Sequence, residues 1–234
     1  MKSINILPTN TSPGNLAELS RTTETLKELS SWIQLDLADG VFVPVVSWPY
    51  QSGQWEELEN LGKSKLPFSD SVNYEVHLMV QEPLQIGELL ARAGAKRILG
   101  HIETLGTHGN VHKAFAAWKG AGASEVGLAV LMETPISEVL PLVPQCDVIQ
   151  LMSIAILGRQ GAPYEPGVIE RIQQLHEAHP ELIIEVDGGV TLAHIADLAR
   201  AGVSRFGVGS AITKAADPVA AYQALKSTAE SAIQ

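Results

Sequence analysis

The chain has 234 residues, 45% of them hydrophobic, with 26 acidic against 16 basic side chains, a formal charge of -10 and one cysteine. That length buries a sizeable core in one α/β barrel or two smaller domains, and no linker-like stretch divides residues 1–234, so a single domain is expected. No Lys/Arg patch exists to neutralise phosphodiesters, Cys146 has no partner for a disulfide, the Met1 to Pro8 opening breaks too early for a signal peptide, and no apolar run spans a bilayer. A cytoplasmic protein that binds neither nucleic acid nor membrane is therefore expected, while a phosphorylated small molecule stays open as a ligand because backbone amides can hold phosphate without a basic surface.

Short apolar runs of strand length alternate with amphipathic stretches. Strands are expected at Ile4 to Leu7, Trp32 to Asp36, Asn73 to Val80, Arg97 to His101, Glu125 to Leu131, Val148 to Met152, Leu182 to Val186 and Arg205 to Val208. Between them, apolar residues three or four apart predict helices at Asn15 to Leu29, Pro83 to Ala93, Val111 to Lys119, Ile136 to Val143, Pro166 to His179, Leu192 to Ala201 and Pro218 to Gln234. A weaker helix is expected near Trp55 to Leu61 in the irregular segment before Asn73, where Trp48, Tyr50 and Trp55 fit the core or a contact surface equally.

Strand candidates spaced by roughly 20 to 40 residues are the rhythm of βα units, and a closed (β/α)8 TIM barrel is the first choice. A doubly wound open sheet is the alternative. It usually carries G-x-G-x-x-G after the first strand, whereas this chain reads Leu7-Pro-Thr-Asn-Thr-Ser-Pro-Gly14.

In a parallel barrel, chemistry gathers where strands end. That rule selects Asp36 and Asp39 after the second strand, His77 at the third, His101 and Glu103 at the fourth, Met152 and Ser153 at the sixth, Asp187 at the seventh and Gly209-Ser210 at the eighth. Asp36 and Asp187 should face one another across the barrel mouth with a ligand between them, one removing a proton beside a carbonyl and the other delivering a proton to the opposite face. His77 beside them can complete a mixed N/O metal site that stabilises the enediolate. Taken singly, each of these residues reads more readily as an ordinary strand-end group satisfied by loop amides, but less so as a set, whose placement follows the logic of the barrel.

Gly188-Gly189 and Gly209-Ser210 suit a phosphate cradle after the seventh and eighth strands. The stretch Gly158 to Tyr164 is a lid candidate. His108, His112, His176, His179 and His194 are expected to be solvated.

Several motifs together resemble the ribulose-phosphate 3-epimerase family: Leu35-Asp-Leu-Ala-Asp-Gly-Val-Phe-Val-Pro44, Val76-His-Leu-Met-Val-Gln-Glu-Pro83, His101-Ile-Glu103, Leu151-Met-Ser153, Glu185-Val-Asp-Gly-Gly189 and Val208-Gly-Ser-Ala-Ile212. The resemblance runs in order from the second strand to the end. It implies a ribulose-phosphate-binding barrel that carries out a 1,1-proton transfer at C3 of a phosphorylated ketose, ribulose 5-phosphate and xylulose 5-phosphate or a related sugar phosphate. Asp36 and Asp187 would be the acid/base pair, and with His77 the ligands of a divalent ion of the zinc, iron, manganese or cobalt type. Substrate contacts would come from His77, Met152, Gly188, Gly189, Gly209 and Ser210. Association into homo-oligomers through outer helices or loops fits such a barrel, though no interface is identified.

Three departures mark a divergent member. Gln34 stands where the family has a histidine ligand, and an amide is the poorer ligand. Ile4-Asn-Ile-Leu-Pro-Thr-Asn10 replaces the family's Pro-Ser-Ile-Leu opening, and Ala38 replaces a methionine. The sixth loop reads Ala155-Ile-Leu-Gly-Arg-Gln-Gly161, where Arg159 is a candidate phosphate contact. Competing readings are a non-catalytic or metal-free sugar-phosphate-binding barrel, and a related decarboxylase or aldolase. The latter would need an Asp-x-Lys-x-x-Asp array, but Asp36 is followed by Leu37 and Ala38.

Overall fold

Eight strands pair in chain order and all in parallel, the eighth closing on the first. The computed structural model describes residues 3–61, 64–158 and 161–234. The strands are β1 (Asn5–Thr11), β2 (Trp32–Ala38), β3 (Asn73–Met79), β4 (Arg97–His101), β5 (Glu125–Val130), β6 (Val148–Met152), β7 (Ile183–Asp187) and β8 (Arg205–Val208). Helices α1 (Leu16–Leu26), α2 (Trp55–Leu61), α3 (Pro83–Arg92), α4 (Ile102–Leu105), α5 (His108–Ala121), α6 (Ile136–Val139), α7 (Val168–Ala178), α8 (Ile195–Ala201), α9 (Ser210–Thr213) and α10 (Pro218–Ala232) surround them. This is the TIM barrel expected, and the open sheet is excluded by the β1 to β8 pairing.

Caps explain several helix starts. Asn15 accepts a hydrogen bond from the Glu18 amide at 2.8 Å before α1, and Asp217 does the same for Ala220 before α10, whose first position is Pro218. The helix expected from Ile136 to Val143 ends early. Pro141 and Pro144 lack amide donors, and the chain continues as a 3-10 helix over Leu140–Gln145. Two single-turn helices, α4 and α9, carry too few residues to show a period.

The first strand runs four residues beyond its expected end at Leu7. Pro8 does not stop it, because it sits where β1 passes its pairing from β8, through Pro8↔Val208, to β2, beginning at Thr9↔Gln34.

Strand residues alternate between two environments. The outward set, such as Ile33, Leu35 and Leu37 on β2 and Val126, Leu128 and Val130 on β5, is buried against apolar helix residues such as Leu19, Ile86, Leu90 and Trp118. Inside, the barrel is polar. Gln34, Glu75, Arg97, Gln150 and Glu185 are at most 2% exposed, where branched aliphatics usually fill such interiors. Arg97 pairs with Glu75 and, at 2.9 Å, with Glu125, which also accepts from Arg205 at 2.8 Å. Among the described residues, no helix is long and apolar enough to cross a membrane.

Candidate active site

Asp187 ends β7 and Asp36 lies two residues before the end of β2, and the inward register of both puts them at the mouth of the barrel. Gln34, two residues below Asp36 on the same strand face, donates its amide Nε2 to Oδ1 of Asp36 at 2.8 Å and to Oδ2 of Asp187 at 2.9 Å. A β-carbon on Gly207 would lie 2.3 Å from the Gln34 Oε1, so only glycine on β8 leaves room for this amide. His77, paired with Asp36 across β2 and β3, places Nδ1 3.1 Å from Oδ1 of Asp36 and 3.5 Å from Oδ2 of Asp187. Asp36, His77 and Asp187 thus present ligand atoms within 4.8 Å of one another.

A buried line of partners fixes the His77 ring. His77 Nε2 meets His101 Nε2 at 2.9 Å, His101 Nδ1 meets Glu103 Oε2 at 3.0 Å, and Glu103 Oε1 accepts from the Leu131 amide and the Thr134 hydroxyl. Burial lowers the His101 pKa to about 4. Burial alone would raise the Glu103 pKa, but hydrogen bonds and the His101 charge outweigh it and hold the carboxyl below its ordinary range. A neutral His101 donating from Nδ1 to an ionised Glu103 leaves only a lone pair on its Nε2, so His77 must donate from Nε2. His77 Nδ1 then faces the two acids with either a proton or a lone pair. Burial opposes a charge on His77, yet the Asp36 hydrogen bond and the charges of Asp36, Asp187 and Glu75 raise its pKa overall. Phe42, from the Asp-Gly-x-Phe-Val-Pro segment, packs on His101 with ring centroids 4.8 Å apart.

Burial, and next the charge of Asp36, lift the Asp187 pKa to about 7, against the lowering pull of His77, Gln34 and the Gly188 amide. A carboxyl that titrates near neutrality can both give and take a proton at working pH.

A cavity of about 300 Å³ opens beside the acids. Of the residues expected there, Asp36, Asp187, Met152, Gly188, Gly189, Gly209 and Ser210 line it, while His77 lies behind the acids and Gln34 beneath them. Other strand-end candidates serve the frame. Asp39 accepts from the amides of Val41, Phe42 and Gln81, and Ser153 bonds the carbonyls of Asp187 and Gly188. In the lid candidate, Gly158, Gly161 and Tyr164 line the cavity, whereas Arg159 lies outside the described residues.

Several lining residues were not anticipated. Thr9 and Thr11 alternate inward on the extended part of β1, and Thr9 Oγ1, nearly fully buried, has no hydrogen-bond partner among the described residues. Reading the strand through Pro8 would have found both. Met79 lines the cavity as well, beside Ala38, where the expected methionine is missing. His194 is not simply solvated. It is half-buried, lines the cavity and stacks on Tyr164 with ring centroids 4.0 Å apart. His176 is half-buried too, under Gly202.

The model of the family described as "Ribulose-phosphate 3 epimerase family" matches residues 7–213. The chain belongs to the ribulose-phosphate 3-epimerase family. It is an isomerase-class enzyme by that membership. Among its relatives, the cytoplasmic isoform of ribulose-phosphate 3-epimerase from Oryza sativa is 30% identical over 221 residues, covering 92% of this chain and 90% of that protein. The Mycobacterium leprae ribulose-phosphate 3-epimerase is 30% identical over 217 residues, covering 90% of each. Solved structures share the fold at lower identity. A crystal structure of KGPDC from Streptococcus mutans gives a TM-score of 0.71 at 15% identity over 99% of each chain. The 3-hexulose-6-phosphate synthase from Salmonella typhimurium gives 0.68 at 16%, over 99% of this chain and 100% of that one.

Proposed function

We propose that this family member inverts C3 of a ketose 5-phosphate, ribulose 5-phosphate and xylulose 5-phosphate or a close relative, by two-base proton transfer through an enediolate. The observation that carries this reading is the convergence of Asp36 and Asp187 on one cavity, with Asp187 raised to about 7. In this reading the ionised acid removes the C3 proton, the protonated one returns a proton to the other face, and their states are exchanged after each turnover. Thr9 offers its unpartnered hydroxyl to the sugar, Met79 and Met152 cover its apolar edge, and Gly188, Gly189, Gly209 and Ser210 receive the phosphate.

The donor set fits a divalent ion. Asp36, His77 and Asp187 would hold it, as three protein ligands commonly do in catalytic sites, and it would polarise the substrate carbonyl as a Lewis acid. Gln34 favours a second, metal-independent form of the same chemistry. Its N–H group already spans the two acids, and a protonated His77 can supply the positive charge between them.

The fold neighbours that are decarboxylases or synthases support no different chemistry, because their identity is low and this chain has no lysine array after Asp36. A reducing, cytoplasmic setting suits the single Cys146, whose thiol burial raises to about 12. Incubation with ribulose 5-phosphate in deuterated water, followed by NMR, tests the function. Deuterium at C3 and the appearance of xylulose 5-phosphate are expected, and the absence of both signals at stoichiometric enzyme would contradict the proposal.

A further inference from the structure

The cavity has an electrostatic gap at its phosphate end. Two carboxylates stand at the other end, and among the described residues that line it there is no lysine or arginine, in a chain with a net charge of -10. Backbone amides offer only partial charges to a phosphate dianion. Among the described residues that line the cavity, the side chain able to carry a positive charge is His194.

The geometry of His194 leaves one ring edge for a ligand. Nδ1 lies 3.1 Å from the carbonyl oxygen of Gly189 and 3.3 Å from the Thr191 hydroxyl. A carbonyl oxygen only accepts, so Nδ1 carries the hydrogen. No hydrogen bond to Nε2 is present among the described residues, and this atom is not enclosed. Protonated, Nε2 donates to a phosphoryl oxygen; neutral, it accepts from the P–OH of the monoanion. Either way one proton is shared between the ring and the phosphate.

Tyr164 sets the plane of that ring. The two rings stack at 13°, and the Tyr164 backbone is fastened by its bridge to Ile154 and by the Glu165 amide donating to Ser153 at 2.9 Å. Gly189 packs so closely under Tyr164 that a β-carbon there would lie 3.0 Å from the Tyr164 Cα. One contact therefore joins the loop after β6, the diglycine after β7 and the imidazole.

We propose that His194 anchors the substrate phosphate through Nε2 and that Tyr164 is its positioning residue, an inference resting on the assignment of the phosphate to the Gly188-Gly189 end. The test is the affinity of inorganic phosphate, measured by calorimetry on the whole protein. His194→Phe keeps a ring against Tyr164 but no nitrogen, and His194→Ala removes both. A lost hydrogen bond to a charged group weakens phosphate binding by about ten-fold or more in each. Tyr164→Phe should retain near-normal affinity and Tyr164→Leu should not. In the wild-type protein, the His194 ring signals should move on titration with phosphate. Folded His194 variants within about two-fold of wild type, or ring signals unmoved at phosphate saturation, would overturn the proposal. Deuterium exchange at C3 separates it from the epimerase reading. Exchange that survives with unaltered phosphate affinity in the His194 variants removes the anchor alone, whereas weakened phosphate binding without any wild-type exchange removes the epimerase alone.

Discussion

Gln34 is the residue on which the chemistry of the site turns. As a bridge, its amide holds one oxygen of each acid in place; as a ligand, a neutral amide is weaker than the imidazole that the family resemblance places there. Gln34→His is expected to raise divalent-ion affinity by roughly ten-fold or more, a scale typical of changes close to a metal. Elemental analysis after dialysis checks this, and equal, near-zero occupancy in both proteins would take the cation out of the mechanism. The places of the two acids were legible in the sequence because each follows a hydrophobic run at a matching place in its βα unit, and that of His77 because it lies on the next strand beside Asp36. The bridging by Gln34 was not, since a glutamine inside a strand gives no sign of which two groups its amide will join. His194 was hidden for a related reason. Its role comes from a stack with a residue thirty positions away, and a lone histidine before a short helix looks like any surface histidine.

At the scale of elements, loops that follow the strands line the cavity. Gly189 has φ 65°, a left-handed conformation, and lies against the backbone of Tyr164. Gly189→Ala should therefore displace the loop after β6, destabilise the fold by about 1–2 kcal/mol and weaken sugar-phosphate binding. Denaturant titration and a KM measurement would check both effects, and an alanine variant with unaltered KM would show that this contact does not shape the site. Strand order and most helices were readable from alternating periods. The extension of β1 and the 3-10 turn were obscured by proline, which is informative about lost donors but not about whether a neighbouring strand needs them. Pro8 falls at a change of pairing and is tolerated; Pro141 and Pro144 fall where α-helical donors are required.

For the molecule as a whole, the unusual property is a charged barrel interior beneath the site. Burial first, and then the neighbouring Glu75, raise the Glu185 pKa well above its ordinary range, against the pull of Arg97 and Arg205. Asp187 is raised as well. Raised carboxyl pKa values mean that the folded state holds protons more tightly than the unfolded chain does. Their contribution to stability is complete below the ordinary carboxylate range and is lost as pH rises through the folded values, about 7 for Asp187. In chelator-treated protein, Tm should fall as pH rises from about 6.5, where the opposing contribution of His101, lowered to about 4, is exhausted, through about 7, a range above the lowered Glu103 and Glu125. Glu185→Gln should lessen that fall, and an unchanged slope would place the buried proton elsewhere. All of this bears on the arrangement proposed above, two acids from β2 and β7 acting on a single sugar phosphate. The most direct measurement is the exchange of the substrate C3 hydrogen with deuterated solvent in folded Asp36→Asn and Asp187→Asn variants. The account requires epimerisation to be abolished in each, with exchange of at most one epimer surviving through the remaining acid, and wild-type-like exchange of both epimers in either variant would contradict it.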